Sequence, residues 1–315
     1  MSNLKLINMR DVEVEPILWL WYPFIPYGKV TIIQGDPGEG KTTLMLQIIA
    51  RLTKGKSIID EDESLPINVI YQTAEDGLDD TIKPRLLAAN ADCSKVLVID
   101  DNDTPLTMRD ARLEQATIET NARLVVLDPI QGFLGADVDM HRANEIRPIM
   151  KHISEIAEKY KCAIILIGHM NKCSVGKSAY RGLGSIDFQA AARNVLIVGR
   201  IKDEPEIRVV CQTKSSLAPE AKAVAFRLSE KNGFEWVGEY DVSADDLLSG
   251  TVKGTKKQAA MDFLESLLSG GRMSQTEIME LAERRNIAEK TLRNAKETLG
   301  VKSKRENNQW YWSLD

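Results

Sequence analysis

The chain has 315 residues, of which 43% are hydrophobic and 28% charged, and its 41 basic and 46 acidic side chains give a formal net charge of -5. That length accommodates about two domains, and the composition excludes disordered, collagenous and disulfide-stapled classes. A mildly acidic balance argues against coating nucleic acid by bulk charge but is compatible with a local basic channel.

Cys93, Cys162, Cys173 and Cys211 show no CxxC spacing, and they are read as buried free thiols of a reducing cytosol. With three histidines in all, a histidine-rich metal centre is excluded. No apolar run approaches the roughly 18 residues of a membrane span. The N-terminus has no basic leader followed by an apolar stretch, so a cytoplasmic protein with no membrane partner is expected.

In chain order, β-branched runs alternate with helical stretches. Strands are predicted at 30–34, 68–73, 96–99, 124–128, 163–168, 195–198 and 207–213, and helices at 42–54, 110–121 and 145–160. Runs such as Leu124–Asp128 and Ala163–Gly168 do not alternate in polarity. Such strands are buried on both faces, so the expected fold is α/β with a mostly parallel central sheet.

This first domain is taken as residues 1–238, followed by a linker over 239–255, acidic and then rich in Gly, Ser and Lys. Residues 256–315 follow another pattern. An amphipathic helix at 259–268 precedes a capping box at Ser274 and Glu277, a helix at 288–300 and a polar-tipped hairpin. Three helices and a hairpin look like a small winged helix-turn-helix domain. From Lys256 onward there are 11 basic and 9 acidic residues, and residues 288–306 hold 6 and 3. A slight excess of positive charge suits duplex DNA, and it suits a protein partner as well.

The strongest signal is Gly35-Asp36-Pro37-Gly38-Glu39-Gly40-Lys41-Thr42, with Thr43 following. It matches GxxxxGK[ST] between a strand and a helix, where successive backbone N–H groups and the helix N-terminus cradle phosphates. Lys41 is expected to reach the β and γ phosphates of ATP, and the Thr42 hydroxyl to take a Mg²⁺ ligand position.

Asp128 ends a buried apolar strand and can hold Mg²⁺ through water. It is preferred to the acidic pair at 100–101 because strands then remain beyond it to carry a sensor. Glu75 ends the strand taken to lie next to the phosphate loop, where it can polarise the attacking water. The alternative is an acidic pair, Glu75 and Asp76, that caps a helix. His169 at another strand tip can report the γ phosphate or serve as a structural histidine. His141 and His152 need no function, and the aspartates of 135–142 are read as caps in a loop, with a metal cluster as the alternative.

The series GDPGEGKTT (35–43), YQTAED (71–76), LVVLDP (124–129), IGHMNK (167–172), YRGLGSIDFQAAARNVL (180–196) and QTKSSL (212–217) resembles the RecA-fold ATPases over roughly residues 16–230. The nearest branch is that of plasmid and phage hexameric replicative helicases. The resemblance implies a RecA-like core in which Lys41 and Thr42 are the phosphate-loop pair, Glu75 the catalytic glutamate, Asp128 the Walker B aspartate and His169 the γ-phosphate sensor. It also implies a ring, most simply a hexamer, with a basic finger supplied in trans by Arg193, Lys214 or Arg181. A channel loop over about 170–184, with Lys172, Lys177, Tyr180 and Arg181, would grip single-stranded DNA. The aromatic run at 19–26 would pack on a neighbouring subunit or cover the base.

Two functions follow as expectations. One is a ring-forming replication ATPase or helicase of a phage, plasmid or mobile element. The other is an ATP-switched regulator or adaptor whose tail binds duplex DNA or a replication protein.

Overall fold

The computed structural model describes residues 5–170, 186–249, 256–306 and 309–314. The chain divides into two compact units, residues 1–198 with 212–221, and 199–211 with 222–315.

The first unit opens with an antiparallel pair, β1 (Trp19–Trp21) and β2 (Ile25–Pro26). It continues through β3 (Val30–Gly35), α1 (Lys41–Thr53), β4 (Val69–Thr73), α2 (Lys83–Ala88), β5 (Val96–Leu97), α3 (Ala111–Thr120), β6 (Leu124–Asp128), α4 (Ala143–Tyr160), β7 (Ala163–His169), α5 (Ile186–Ala191) and β8 (Asn194–Ile201). The strand order is β8-β3-β7-β6-β4-β5, and the neighbouring strands run parallel.

Every residue of β3 and β6 is buried, as a sheet covered by helices on both faces requires. On one face, Ile70, Val125, Leu127, Ile164 and Leu166 pack with Leu113 of α3 and with Ile146, Ile149, Met150, Ile153 and Ile156 of α4. The spacing of the α4 residues is that of one helical stripe. Helix α1 buries Leu44, Met45, Ile48, Ile49 and Leu52.

Two sequence expectations need correction. Strand β4 does not neighbour β3, because β7 and β6 lie between them. Consecutive strands joined by a helix need not be adjacent, and hydrophobic runs carry no information on strand order. The strand expected at 96–99 pairs only over Val96 and Leu97. Beyond them the Gln72 side chain takes over the ladder's role, donating to Ile99 O at 2.9 Å and accepting from Ile99 N at 3.0 Å.

In the second unit, the 204–211 part of β9 (Glu204–Ser215), β10 (Ala223–Ser229) and β11 (Gly233–Tyr240) pair antiparallel, and Phe226, Phe234 and Trp236 cluster across β10 and β11. Both β10 and β11 lie beyond the last strand expected from the sequence in the first domain. Helix α6 (Ala244–Ser249) follows.

The C-terminal segment consists of α7 (Lys256–Leu268), β12 (Met273–Ser274), α8 (Gln275–Arg284), α9 (Glu289–Thr298), β13 (Lys302–Glu306) and β14 (Gln309–Ser313), with the three strands ordered β12-β14-β13. Ser274 caps α8 as its spacing predicts, accepting from Glu277 N at 3.3 Å and donating to Glu277 Oε2 at 2.8 Å. Phe263, Leu264, Ile278, Leu292, Val301 and Trp312 form its own apolar core. Among the described residues no helix is long and apolar enough to cross a membrane.

Candidate functional site

Parallel strands bring their carboxyl ends to one edge, where an open α/β sheet places its ligands. Here Gly35 ends β3, His169 ends β7 directly opposite it, Asp128 ends β6, and Thr73 of β4 is paired with Asp128. All the site residues taken from these strand tips, together with the start of α1, therefore lie along one rim.

The loop from Gly35 to Gly40 needs its glycines for different reasons. A Cβ on Gly35 would sit 2.2 Å from Val198 O, whereas Gly38 and Gly40 have φ of 79° and 87°. Asp36, Pro37 and Gly38 are exposed, and Glu39 and Gly40 are half-buried. Thr42 and Thr43 open α1 half-buried behind the Gly40 cap.

Lys41 is buried, and its ammonium donates to Gly35 O at 2.8 Å and Asp36 O at 2.9 Å. It lies 3.4 Å from His169 Nδ1. Burial lowers the Lys41 pKa from its ordinary value, and the charges of Asp128, Asp36, Glu39 and Glu75 oppose that shift.

Across the site, Thr42 Oγ1 donates to Asp128 Oδ2 at 2.7 Å, and the buried Tyr71 hydroxyl donates to the same oxygen at 2.8 Å. Burial raises the Asp128 pKa, against the hydrogen bonds from Thr42 and Tyr71 and the charge of Lys41. Thr42 and Asp128 present hard oxygen donors, the chemistry that suits Mg²⁺.

Glu75 projects from the tip of β4, 64% exposed, with Oε2 3.8 Å from His169 Nε2. Although β4 is three strands away from β3, the glutamate is brought to the Lys41 cluster through His169. Asp76 has other partners. Its amide bonds Thr73 Oγ1 at 3.1 Å and its carboxylate pairs with Arg85 at 3.4 Å. The acidic pair at 100–101 lies beyond β5, at the far edge of the parallel strands.

The remaining cationic candidates lie elsewhere. Arg193 is exposed, and its backbone joins the start of β3 through Val30 O, at the opposite end of that strand from Lys41. The Lys214 ammonium caps α5, donating to Gln189 O at 2.8 Å, Ala190 O at 3.0 Å and Ala192 O at 2.8 Å. Burial, and then the charge of Arg193, lower the Lys214 pKa. Lys172, Lys177, Tyr180 and Arg181 lie outside the described residues. Among the described residues, no three His, Cys, Asp or Glu side chains gather as a metal cage.

Sequence reasoning missed Tyr71. Its signal is a polar-tipped aromatic inside an apolar strand, four residues before Glu75.

The sequence pattern of a family described as AAA domain matches residues 3–175. The DNA repair protein RadA of Halalkalibacterium halodurans is 28% identical over 148 residues, covering 46% of this chain and 28% of RadA. Protein RecA of Agrobacterium fabrum is 24% identical over 255 residues, covering 76% of this chain and 67% of RecA. The chain thus spans little more than a quarter of that RadA and about two thirds of that RecA. The crystal structure of a KaiC-like protein from Pyrococcus horikoshii superposes with a TM-score of 0.51 at 18% identity, over 68% of this chain and 93% of that one; it shares the fold. With the matched pattern spanning more than half of its residues, the chain belongs to the AAA domain family and carries a RecA-type P-loop ATPase core.

Proposed function

We propose that this core binds ATP with Mg²⁺ at the rim formed by Gly35–Thr43, Asp128, Glu75 and His169, and hydrolyses it. The observation that carries the reading is the hydrogen bond from Thr42 to Asp128, which joins the loop to the second acidic strand 86 positions away.

In this reading the loop amides and Lys41 hold the phosphates. Lys41 exchanges the carbonyls of Gly35 and Asp36 for phosphate oxygens. Thr42, and Asp128 through water, would hold Mg²⁺, which would supply positive charge against the phosphate oxygens. Glu75 orients the attacking water and takes up its proton. His169 lies between Lys41 and Glu75 and couples phosphate occupancy to the position of the glutamate.

The core works as a ring, most simply a hexamer, acting on single-stranded DNA as a replication ATPase or helicase of a mobile element. The relatives named DNA repair protein RadA and RecA support a DNA-directed role. Arg193 supports assembly. It is exposed, has no acidic partner among the described residues, and sits at the end of β3 away from its own Lys41. That placement suits a finger acting on the next copy. Lys214, committed to α5, suits it less.

Residues 256–315 are read as a winged helix-turn-helix domain beyond a 239–255 linker. Exposed Lys290 and Arg293 on α9, with Lys302, Lys304 and Arg305 on β13, would form its DNA-facing side.

The test is steady-state ATP hydrolysis with and without single-stranded DNA at matched low salt. Strong stimulation supports the DNA-motor reading. Hydrolysis indifferent to DNA overturns it and favours an ATP-switched adaptor working through its tail.

A further inference from the structure

Tyr71 is fully buried in β4, beside Val69 and Ile70. Phenylalanine would fill the same volume without bringing a hydroxyl that must find a partner. The register explains the partner found. Tyr71 pairs with Val126 of β6, so it shares a sheet face with residue 126 and, by the two-residue period, with Asp128. A tyrosine is long enough to span that diagonal. Its hydroxyl donates to Asp128 Oδ2 at 2.8 Å, the oxygen that already accepts from Thr42 Oγ1 at 2.7 Å.

A carboxylate oxygen has two lone-pair sites, and two hydroxyls fill those of Oδ2. Asp128 Oδ1 has no hydrogen-bond donor among the described residues. The carboxylate is therefore fixed in rotation, with one oxygen saturated by protein and the other left open. Thr42 alone would not achieve this, because its hydroxyl is the group that a bound cation would claim as a ligand. Tyr71 lies behind the carboxylate, in the apolar interior of the sheet, and keeps its bond in either case.

We propose that Tyr71 is a positioning residue for the cation site: it locks Asp128 so that Oδ1 addresses the water shell of Mg²⁺. The proposal rests on the reading of Asp128 given above. Groups that orient a ligand-bearing carboxylate change metal affinity without touching the metal.

The test uses the full chain and the fluorescent nucleotide N-methylanthraniloyl-ADP, titrated in EDTA and then across a Mg²⁺ series. In wild type, Mg²⁺ tightens nucleotide binding. For Tyr71→Phe the affinity in EDTA is expected to stay within about twofold of wild type, while the Mg²⁺ concentration giving half the tightening rises about tenfold.

A Mg²⁺ curve identical to wild type overturns the proposal. So does a loss of binding in EDTA as large as the loss in Mg²⁺, which would mark a general packing role. Tyr71→Met, a second side chain without a hydroxyl, must behave like Tyr71→Phe, and it carries the test if the phenylalanine variant does not fold. A wild-type chain that binds no nucleotide, or binds it without regard to Mg²⁺, overturns the underlying site reading and is seen before any variant is made.

Discussion

Gly132 stands so close to Ala74 that a Cβ built on it would lie 2.3 Å from the Ala74 side chain. Gly132 belongs to the turn at Ile130–Phe133 that follows β6, and Ala74 N donates to Asp128 O at 3.0 Å. The end of β6 thus holds the backbone immediately before Glu75 in two ways. Gly132→Ala must push that backbone aside. We expect ATP hydrolysis to fall by up to about 100-fold, as misplacement of a reacting group by about 1 Å does, with nucleotide affinity changed far less. Parallel kcat and nucleotide Kd measurements check this; equal losses in both would contradict it.

The two loop glycines Gly35 and Gly38 separate steric from conformational need. Gly35→Ala forces a Cβ into Val198 O, a backbone atom that cannot step aside, whereas Gly38 has open space around its Cβ and only its φ of 79° against it. Gly38→Ala should cost about 1–2 kcal/mol of stability, the price of a left-handed alanine. Gly35→Ala should cost clearly more and separate β3 from β8. Thermal melts of the two variants give the comparison, and equal melting temperatures would refute it.

Arg193 and Lys214 are neighbouring cations with different commitments. Lys214→Ala leaves three carbonyls at the end of α5 without their donor and should destabilise the fold by about 1–3 kcal/mol. Arg193→Ala removes an exposed guanidinium and should leave the melting temperature within a degree or so. If Arg193 acts on a neighbour's site, its loss lowers ATP hydrolysis about 1000-fold in the assembled protein while nucleotide binding persists. Mixing Arg193→Ala with Glu75→Gln chains would then restore part of the activity, since each repairs the other's defect in mixed assemblies.

The cysteines give a prediction tied to pH. Burial pushes the Cys162 thiol up to about 11 and the Cys211 thiol up to about 12, while Cys93 is half-buried. A raised pKa means less thiolate at any pH below it, so at pH 8 a thiol titrating near 11 is only about 0.1% ionised. Iodoacetamide at pH 8 should therefore modify Cys93 in the native protein and spare Cys162 and Cys211 until the chain is unfolded. Peptide mass spectrometry reads the outcome, and early labelling of Cys162 would contradict the packing.

The sequence was informative where chemistry and burial leave a local mark. The loop from Gly35 to Thr43 is legible as a strand-to-helix turn in its glycines and its Lys-Thr pair. Asp128 and His169 are visible as polar ends of apolar runs. Strand order left no such mark. Chain order puts Glu75 beside the phosphate loop, yet β7 and β6 intervene, and its Oε2 lies instead 3.8 Å from His169 Nε2. Tyr71 looked like ordinary strand filling because its partner is 57 positions away. Strands β10 and β11 carry readable patterns that the expected elements leave out: the first four residues of β10 are buried, and β11 alternates exposed with half-buried positions, the two-residue period of a strand with one face covered. Cys93, expected to be buried, is only half so because it starts a short exposed turn at Cys93–Lys95.

The central claim is that Lys41, Thr42, Asp128, Glu75 and His169 form one hydrolytic site, and Glu75→Gln tests it most directly. ATP binding and steady-state hydrolysis should be measured on the same preparations of wild type and variant. The account predicts that the variant binds ATP with Mg²⁺ about as well as wild type and hydrolyses it at least about 100-fold more slowly. A variant that hydrolyses ATP at the wild-type rate would show that the water is activated by another group, and the site as described would be wrong.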